Sequence, residues 1–350
     1  MSGRPIQTIS HLTMNTRKLG NSDLHLTEIG LGAWAIGGEG GNFSWGPQDD
    51  GDSIAAIHRA LELGVNWIDT AAIYGFGHSE EVVGRAIQGR RNEVIIATKC
   101  SQVWDENRVV TPNLSRASVR RECEASLNRL QIDVIDLYQI HWPNDNERIE
   151  EGWEEIGRLI EDGKVRYGGV SNFHYDLNNL RRAQRVRPIT SLQSAYSILR
   201  RYPEGETFAF CRRDNIGFLA YSPMQAGLLT GKFDKKKIAP GDWRNQAKEY
   251  SDTNLPINLW FVEQLRPIAA KYQKTVAQLS LAWVLRRPEV TSAIVGARRS
   301  SQIEETVGGS GWKIDQTDLD TIDRLCNQRL ERVKAAGGYV HPNEQPLAAA

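Results

Sequence analysis

Four side chains that can move or hold a proton occur in the first half of the chain, at Asp69, Tyr74, Lys99 and His141. A tyrosine can protonate a carbonyl oxygen when its pKa, ordinarily about 10, is lowered towards the working pH. A lysine ammonium about 4 Å away favours the phenolate by roughly 4 kcal/mol at an effective dielectric near 20, or about three pKa units. These residue types therefore indicate general-acid chemistry on a carbonyl group.

The other two side chains can support that acid. A lysine in a half-buried cleft stays protonated when a carboxylate lies beside it, which is the role open to Asp69. An imidazole opposite can orient the substrate oxygen by a hydrogen bond, which suits His141. Taken singly, the four residues have ordinary alternatives as a turn-capping acid, a surface aromatic, a strand-end lysine and a rim histidine. Only their convergence at one place favours catalysis.

A site with an acid but no nucleophile and no metal cage requires a separate hydride donor, and later segments could bind one. Ser171 and Asn172 follow an apolar run and present short polar groups suited to a carboxamide, and Gln193 can complete that contact. Tyr221 offers an aromatic plane on which a nicotinamide can stack. Each of these signals is weak alone, because such residues are common in loops.

Phosphate-binding features follow the last apolar run, in the segment VGARRSSQIEE. Gly296 lets the backbone approach a ligand closely. Arg298 and Arg299 precede a predicted helix N-terminus, where backbone N–H groups and the helix dipole favour an anion. The segment therefore predicts a phosphate site.

The chemically active residues stand at the ends of short apolar runs that alternate with segments of helical period. Eight runs rich in branched residues predict strands at 29–36, 65–68, 94–97, 134–140, 165–170, 189–192, 216–221 and 290–295. One predicted helix carries Ile54, Ile57 and Leu61 on one face and ends near Gly64. The others are predicted at 80–88, 116–130, 148–162, 177–186, 204–213, 276–286 and 301–307.

Apolar strands alternating with amphipathic helices are typical of the α/β class, in which helices cover a parallel sheet. Eight such units favour a closed (β/α)8 TIM barrel over an open doubly wound sheet. An open dinucleotide-binding sheet would need a glycine-rich loop leading directly into a helix, whereas GGEGG is followed here by NFSWGPQDD. A barrel builds its site at the C-terminal ends of the strands, where Asp69, Lys99 and His141 stand.

Other segments lie outside the repeat, and no linker divides the chain, so we predict one domain over residues 1–350. Residues 1–28 are expected to form an N-terminal hairpin that caps the barrel. Residues 225–256 form a polar insert that either covers a bound cofactor as a lid or stays a mobile surface loop. Residues 315–334 predict an extra C-terminal helix, followed by a loose tail at 335–350.

The chain resembles the aldo-keto reductase superfamily over about residues 15–330, through the motifs GLGAWAIGG, NWIDTAAIYGFGHSEEVVGRAI, ATK, YQIHWP, GGVSNF, AYSPMQAGLLTGKF and VGARRSSQIEE. It is most similar to the bacterial group that includes general stress and sugar-active reductases. The resemblance implies reversible reduction of aldehydes, ketones or sugar-like carbonyls, with NADP(H) or NAD(H) as the cofactor.

The resemblance also implies roles for individual residues. The catalytic set would be Asp69, Tyr74, Lys99 and His141, with Tyr74 as the proton donor. The nicotinamide would be held by Ser171, Asn172, Gln193 and Tyr221. The rest of the cofactor would contact Ser222, Gly227 and Leu228 at the pyrophosphate, Arg298 and Gln302 at the 2′-phosphate, and Glu305 at the adenine.

Two places depart from the usual pattern of the superfamily. Thr306 stands where an asparagine often follows the glutamate, which affects an adenine contact. Gln225 and Ala226 stand where relatives often carry a glycine or a basic residue, which affects the pyrophosphate contact. The predicted fold does not depend on either.

Aromatic residues cluster on the loops at the predicted active face, namely Trp34, Phe43, Trp45, Phe76, Trp104 and Trp142. They predict an aromatic-walled pocket for an aldehyde, a ketone or a sugar-like carbonyl. The alternative is that half of them only cover the barrel rim.

Charge and composition exclude several classes of protein. The 43 Lys and Arg residues balance 43 Asp and Glu residues without forming a basic stripe, so a nucleic-acid groove is not expected. No segment has the apolar core of a signal peptide or the roughly 20 apolar residues of a membrane span. The four cysteines form no C-x-x-C pair. We expect a cytoplasmic protein with a small-molecule substrate, and the sequence leaves both a monomer and a homo-oligomer open.

Two other functions compete with a reductase. A cofactor-binding regulatory subunit resembling potassium-channel β subunits would need an N-terminal extension or an oligomeric docking face, and residues 1–14 are short for the extension. A barrel hydrolase would need two carboxylic acids across the cleft or several metal ligands. The strand ends show His141 and Tyr221 instead, so the hydrolase is a poor match.

Overall fold

Parallel strands close into a barrel in the computed structural model of the chain, which describes residues 14–38, 45–239, 241–342 and 344. The strands are β1 (Thr16–Lys18), β2 (His25–Thr27), β3 (Ile29–Gly32), β4 (Trp67–Asp69), β5 (Ile95–Cys100), β6 (Gln102–Trp104), β7 (Val110–Pro112), β8 (Ile135–Ile140), β9 (Val165–Ser171), β10 (Ser191–Ala195), β11 (Gly217–Tyr221) and β12 (Val290–Gly296). The barrel order is β3-β4-β5-β8-β9-β10-β11-β12, with β12 paired back to β3. The predicted (β/α)8 barrel is confirmed.

Helices follow the barrel strands along the chain and surround the barrel. They are α1 (Asp50–Glu62), α2 (His78–Ala86), α3 (Arg116–Leu130), α4 (Ile149–Glu161), α5 (Leu177–Val186), α6 (Glu206–Arg213), α7 (Asn254–Lys271), α8 (Val276–Leu285), α9 (Ser300–Thr306) and α10 (Gln316–Ala335). Every residue of β8 and of β10 is buried, including the polar residues Asp136, Gln139 and Gln193, as expected for strands covered on both faces.

An N-terminal hairpin closes the end of the barrel opposite to the site. Strands β1 and β2 pair antiparallel, and Leu19, Leu24 and Leu26 are buried against side chains from inside the barrel, including Trp67 and Leu219. The predicted hairpin is therefore present within residues 16–27, whereas residues 1–13 of the prediction lie outside the described residues.

Three parts of the fold differ from the predicted elements. The first barrel strand ends at Gly32 instead of continuing to residue 36, because Trp34–Gly37 forms a 3-10 turn. Helix α7 was not predicted, and Pro267 inside it interrupts the helical pattern. The antiparallel pair β6 and β7, in the loop after β5, was also missed, because strands of three residues carry little periodicity.

The 225–256 insert consists mainly of short 3-10 turns in its described part. It has a small core of its own, in which Leu228, Tyr250 and Leu255 are buried together. The Tyr250 hydroxyl donates to the backbone oxygen of Gln225 at 2.8 Å. These contacts fix the beginning of the insert against its end.

The segment after α10, predicted to be loose, forms hydrogen bonds with α7 and α10 in its described part. Asn254 forms two hydrogen bonds with the backbone of Tyr339, at 2.7 and 2.9 Å. Glu344 pairs with Arg329 of α10. Over the described ranges, no helix has both the length and the apolar character needed to cross a bilayer.

Candidate active site

The four proton-handling side chains meet at the barrel mouth, by which we mean the C-terminal ends of the eight barrel strands. Lys99 Nζ lies 2.7 Å from Asp69 Oδ2 and donates to the Tyr74 hydroxyl at 3.3 Å. The Tyr74 and His141 rings meet edge to face, with centroids 5.7 Å apart. Asp69 ends β4, Lys99 lies in β5 and His141 follows β8, three adjacent strands of the barrel. The predicted convergence is thus present in the geometry.

A tight turn presents the Tyr74 phenol to the mouth. The residues after it, Gly75, Phe76 and Gly77, all have positive φ and turn the chain into α2. Gly75 packs on the 3-10 turn after β3 so closely that an added Cβ would lie 2.1 Å from the Gly37 oxygen. A side chain is therefore excluded at position 75, and the close packing of Gly37 on this turn fixes the backbone of Tyr74.

Burial dominates the protonation of these groups. It raises the pKa of Tyr74 well above 10.0, and the negative charge of Asp69 acts in the same direction. Burial lowers the pKa of Lys99, although the nearby Asp69 carboxylate opposes the shift. The pKa of His141 is well below 6.5 because of burial and, secondarily, the charge of Lys99. In this structure the pKa of Tyr74 is shifted upwards and not towards neutral pH, because burial disfavours the phenolate.

The Asp69 carboxylate is surrounded by donors. Besides Lys99, the amide of Gln193 donates to Asp69 Oδ1 at 2.7 Å and that of Gln139 lies at 3.5 Å. Lys99 Nζ also donates to the Thr70 oxygen at 2.7 Å. Gln193 therefore already supports the carboxylate, in addition to any contact with a carboxamide, while Gln139 was not singled out from the sequence.

The residues predicted to hold a carboxamide form one hydrogen-bonded group. Asn172 has a left-handed backbone and donates to the His141 oxygen at 3.0 Å and to Ser171 Oγ at 3.1 Å. The Tyr221 hydroxyl donates to Asn172 Oδ1 at 2.9 Å. This group is contiguous with the catalytic residues, because Asn172 contacts the backbone of His141 directly.

A run of left-handed backbone follows β11, as expected of a loop that cradles an anion. Ser222, Gln225, Ala226 and Gly227 all have positive φ, with Gly227 at 94°. The Leu228 side chain is fully buried in the core of the insert, so only its backbone could contact a ligand. The Gln225 side chain is also buried and accepts a hydrogen bond from Ser197 at 3.1 Å.

The predicted 2′-phosphate residues have partners within the protein. Arg298 Nε donates to Gln48 Oε1 at 2.5 Å, and its other nitrogens donate to the backbone oxygens of Trp45 and Pro47. Gln302 Oε1 accepts from the Arg298 backbone N–H at 2.7 Å. Gly296 is exposed, and an added Cβ there would meet no atom within 4 Å.

Only one of the two carboxylate oxygens of Glu305 has a hydrogen-bond partner among the described residues. Its Oε2 accepts from Lys232 Nζ of the insert at 2.7 Å, while the buried Oε1 has no hydrogen-bond partner among the described residues. An unpaired buried oxygen is costly, so this atom is suited to an N–H group of a ligand. Sequence reasoning named Glu305 but missed Lys232, which only the fold brings to it.

The predicted aromatic pocket residues separate into three groups. Trp34 and Trp45 meet edge to face at 5.6 Å, Phe76 packs against Trp104 at 5.7 Å, and Trp142 stacks on Tyr175 at 6.3 Å. Phe43 lies outside the described residues. The predicted residues are therefore not one continuous wall.

The 225–256 insert adds an aromatic ring to the first of these groups. Trp243 lies 6.3 Å from Trp34 and 6.4 Å from Trp45, and the Arg244 guanidinium stands 4.1 Å over the Trp45 ring. Nothing in the pattern of the DWRN run at 242–245 indicates these partners. The insert thus reaches over the barrel mouth.

The comparisons with known proteins agree with this arrangement. Residues 28–327 match the model of the Aldo/keto reductase family. The chain is 38% identical over 316 residues to the aldo-keto reductase YhdN of Bacillus subtilis, covering 88% of this chain and 93% of that protein. It is 35% identical over 332 residues to the NADH-specific methylglyoxal reductase of Escherichia coli, covering 90% and 98%.

Solved structures give the same result. The glycerol dehydrogenase AKR11B4 from Gluconobacter oxydans superposes with a TM-score of 0.83 at 33% identity, over 94% of this chain and 98% of that chain. An aldo/keto reductase from Klebsiella pneumoniae in complex with NADP and acetate superposes with a TM-score of 0.68 at 27% identity, over 89% and 95%.

Proposed function

The chain belongs to the aldo/keto reductase family, and from this premise we propose that it reduces aldehydes, ketones or sugar-like carbonyl compounds to alcohols, with Tyr74 as the general acid. The observation that carries the proposal is the contact between Tyr74 and the buried Lys99–Asp69 pair, 3.3 Å from hydroxyl to Nζ. A phenol held by a lysine at a strand end has the chemistry to protonate a carbonyl oxygen.

The nicotinamide cofactor supplies the hydride when it is bound. Tyr74 donates its hydroxyl proton to the carbonyl oxygen, so that the substrate becomes an alcohol and the tyrosine a phenolate. Lys99 stabilises that phenolate through its contact with the hydroxyl. His141, neutral because its pKa is lowered by burial, can donate one ring N–H to the same carbonyl oxygen and orient it.

The residues at the mouth fit a nicotinamide nucleotide. Ser171, Asn172 and Gln193 would hold the carboxamide and Tyr221 would stack on the ring. The loop after β11, from Ser222 to Leu228, has left-handed backbone at Ser222 and at 225–227 and would cradle the pyrophosphate. The unpaired Glu305 Oε1 is suited to an amino group of the adenine.

The preference for NADP(H) over NAD(H) depends on Arg298. Its side-chain partners are neutral oxygens of Trp45, Pro47 and Gln48, so the guanidinium has no carboxylate among its hydrogen-bond partners in the described chain. A 2′-phosphate would provide that negative charge. We therefore propose NADP(H) as the main cofactor and NAD(H) as a weaker one, noting that a relative is NADH-specific.

The proposal is tested by following NADPH oxidation with a panel of aldehydes, ketones and sugars, beside NADH. We expect several carbonyls to be reduced and deuterium from C4-deuterated NADPH to appear at the carbinol carbon of the product. Tight cofactor binding without turnover of any carbonyl would instead favour a cofactor-binding regulatory subunit. Failure to bind either nucleotide would contradict the assignment of the barrel mouth.

A further inference from the structure

Ser101 joins the two strand ends that carry Lys99 and His141. It directly follows β5, and its hydroxyl donates to the Trp142 oxygen at 3.1 Å and accepts from the Trp142 N–H at 3.3 Å. Beside it, the His141 N–H donates to the Cys100 oxygen at 3.0 Å. The relative position of the lysine and the histidine is therefore set by the residues that follow each of them.

The backbone of Ser101 is in a conformation that other residues must maintain. Its φ is 84°, in the left-handed region that a serine rarely adopts, and its side chain is fully buried. The Ser101 N–H donates to Glu122 Oε2 of α3 at 2.9 Å. The other carboxylate oxygen of Glu122 accepts from the Ser118 hydroxyl at 3.0 Å.

Glu122 is an unusual residue for the inner face of a helix. It is 8% exposed and has no ion pair within the described part of the chain. The charges of Arg121 and Arg129, on the same helix, favour the ionised form of Glu122. The charge of Glu122 in turn raises the pKa of Cys100 on β5 and of Tyr138 on β8. Burial raises the pKa of Glu122 to about 7. An apolar side chain would avoid this cost, so the carboxylate is explained by the backbone N–H that it binds.

We propose that Glu122 is a positioning residue of the proton-transfer site, which holds Ser101 and so sets His141 relative to Lys99 and Tyr74. This inference rests on the proposed function, because it assigns Glu122 to the same reaction. Glu122 itself lies on α3 and contacts the site only through Ser101.

The substitution Glu122→Leu removes the acceptor and leaves the Ser101 N–H unpaired. Displacement of reacting groups by about 1 Å can cost roughly 100-fold in rate, so we expect kcat to fall by about 10- to 100-fold. Glu122→Gln keeps an oxygen for the Ser101 N–H and an N–H₂ group for Ser118, and we expect it to stay within about threefold of the wild type. The control is Glu124→Leu, on the same helix but at an exposed position paired with Lys164.

The experiment compares these variants in carbonyl reduction with NADPH and with C4-deuterated NADPH. If positioning is lost, hydride transfer becomes slower, so Glu122→Leu should show a larger deuterium isotope effect on kcat at an unchanged Kd for NADPH. A variant that is only partly folded would lose activity without a change in the isotope effect. Hydrogen exchange of residues 100–104 and 141–144, followed by mass spectrometry, should accelerate in Glu122→Leu and not in Glu122→Gln.

The possible results separate the two proposals. If the wild type reduces carbonyls but Glu122→Leu keeps its kcat, its isotope effect and its exchange rates, the positioning role is wrong and the reductase stands. If the wild type transfers no deuterium, the reductase fails and this inference fails with it. Should Glu122→Leu not fold, Ser101→Ala tests the second link, from Ser101 to Trp142, because it keeps the N–H that binds Glu122 and removes the hydroxyl that binds Trp142. A kcat and isotope effect equal to the wild type would then overturn the proposal.

Discussion

The Tyr74 hydroxyl is kept protonated by its surroundings. Its pKa is raised by burial and by Asp69, while burial lowers the pKa of Lys99, so the pair favours a neutral phenol beside a lysine. For a reduction this is useful, because the acid must carry its proton when the carbonyl arrives. The lysine then acts mainly on the phenolate that forms afterwards.

Removal of the Tyr74 hydroxyl tests most directly whether this residue is the proton donor. We expect Tyr74→Phe to lower kcat by about two to four orders of magnitude, the usual contribution of a general acid, and to leave the Kd for NADPH nearly unchanged. Steady-state kinetics and cofactor fluorescence measure the two quantities. Tyr167→Phe, in the hydrophobic cluster at the hairpin end of the barrel, is the control. Full activity in Tyr74→Phe would show that another group donates the proton.

The pH dependence of reduction follows from the same shifts. Reduction needs a protonated Tyr74 and a charged Lys99, so activity is lost as pH rises through the lowered pKa of Lys99 and then through the raised pKa of Tyr74. His141, with a pKa well below 6.5, stays neutral across the neutral range and adds no loss near that pH. We therefore expect kcat for reduction to be flat from about pH 6 to 9 and to fall only at alkaline pH. A loss of activity with a midpoint near 6.5 would contradict the assignment of His141.

Cofactor preference can be tested at Arg298. If the guanidinium binds the 2′-phosphate, Arg298→Ala should weaken NADPH by about 10-fold or more, the scale of a lost charge-assisted hydrogen bond, and NADH by much less. Titration of tryptophan fluorescence with each nucleotide gives both Kd values. Arg213→Ala on α6 serves as the control, since its side chain is 64% exposed and lies outside the predicted phosphate site. An equal loss of affinity for both nucleotides would mean that Arg298 only stabilises the conformation of residues 45–48.

The 225–256 insert contributes both to the predicted pyrophosphate loop and to the aromatic group at the barrel mouth. Its first turns form the left-handed run after β11, and Trp243 reaches the aromatic pair Trp34 and Trp45. Lys232 of the same insert binds Glu305 on α9. We propose that this insert covers the cofactor along its length, because it contacts both the aromatic residues after β3 and the predicted adenine residue on α9.

The internal hydrogen bond of the insert provides the test. Tyr250→Phe leaves the Gln225 oxygen without its donor and loosens the run that would bind pyrophosphate. We expect the Kd for NADPH to rise about fivefold, which corresponds to about 1 kcal/mol for one hydrogen bond. Tyr272→Phe, which removes a hydroxyl between α7 and α10, is the control. An unchanged Kd in Tyr250→Phe would argue against a role of the insert in binding.

The whole molecule divides stability and chemistry between the two ends of the barrel. The hairpin fills one end with Leu19, Leu24 and Leu26, whereas the polar residues of the site occupy the other. This separation allows the closed end to be packed for stability without constraining the site.

A core substitution in the hairpin tests that separation. Leu26 is 1% exposed, so Leu26→Ala should lower the free energy of unfolding by about 2–5 kcal/mol while leaving kcat per folded molecule unchanged. Thermal unfolding and active-site titration measure the two effects. Val110→Ala, at a position 40% exposed, should change stability by less than about 0.5 kcal/mol. A parallel loss of kcat in Leu26→Ala would show that the two ends are coupled.

The sequence alone determined the barrel and the positions of its strand-end residues. Strands buried on both faces are rich in apolar residues, and this produced eight recognisable runs whose ends carry Asp69, Lys99 and His141. The match of strands to runs extends to within a few residues, as for 216–221 against Gly217–Tyr221. Elements without such a signature, such as α7 and the pair β6 and β7, were missed.

Only the tertiary structure decided which side chains support the site. Glu122 meets Ser101, Gln193 meets Asp69 and Trp243 meets Trp34 across separations of 21, 124 and more than 200 residues, which no local pattern encodes. The direction of the Tyr74 pKa shift was also decided there, because the cost of burying a charge depends on the enclosure of the closed barrel and not on the nearest residue in sequence.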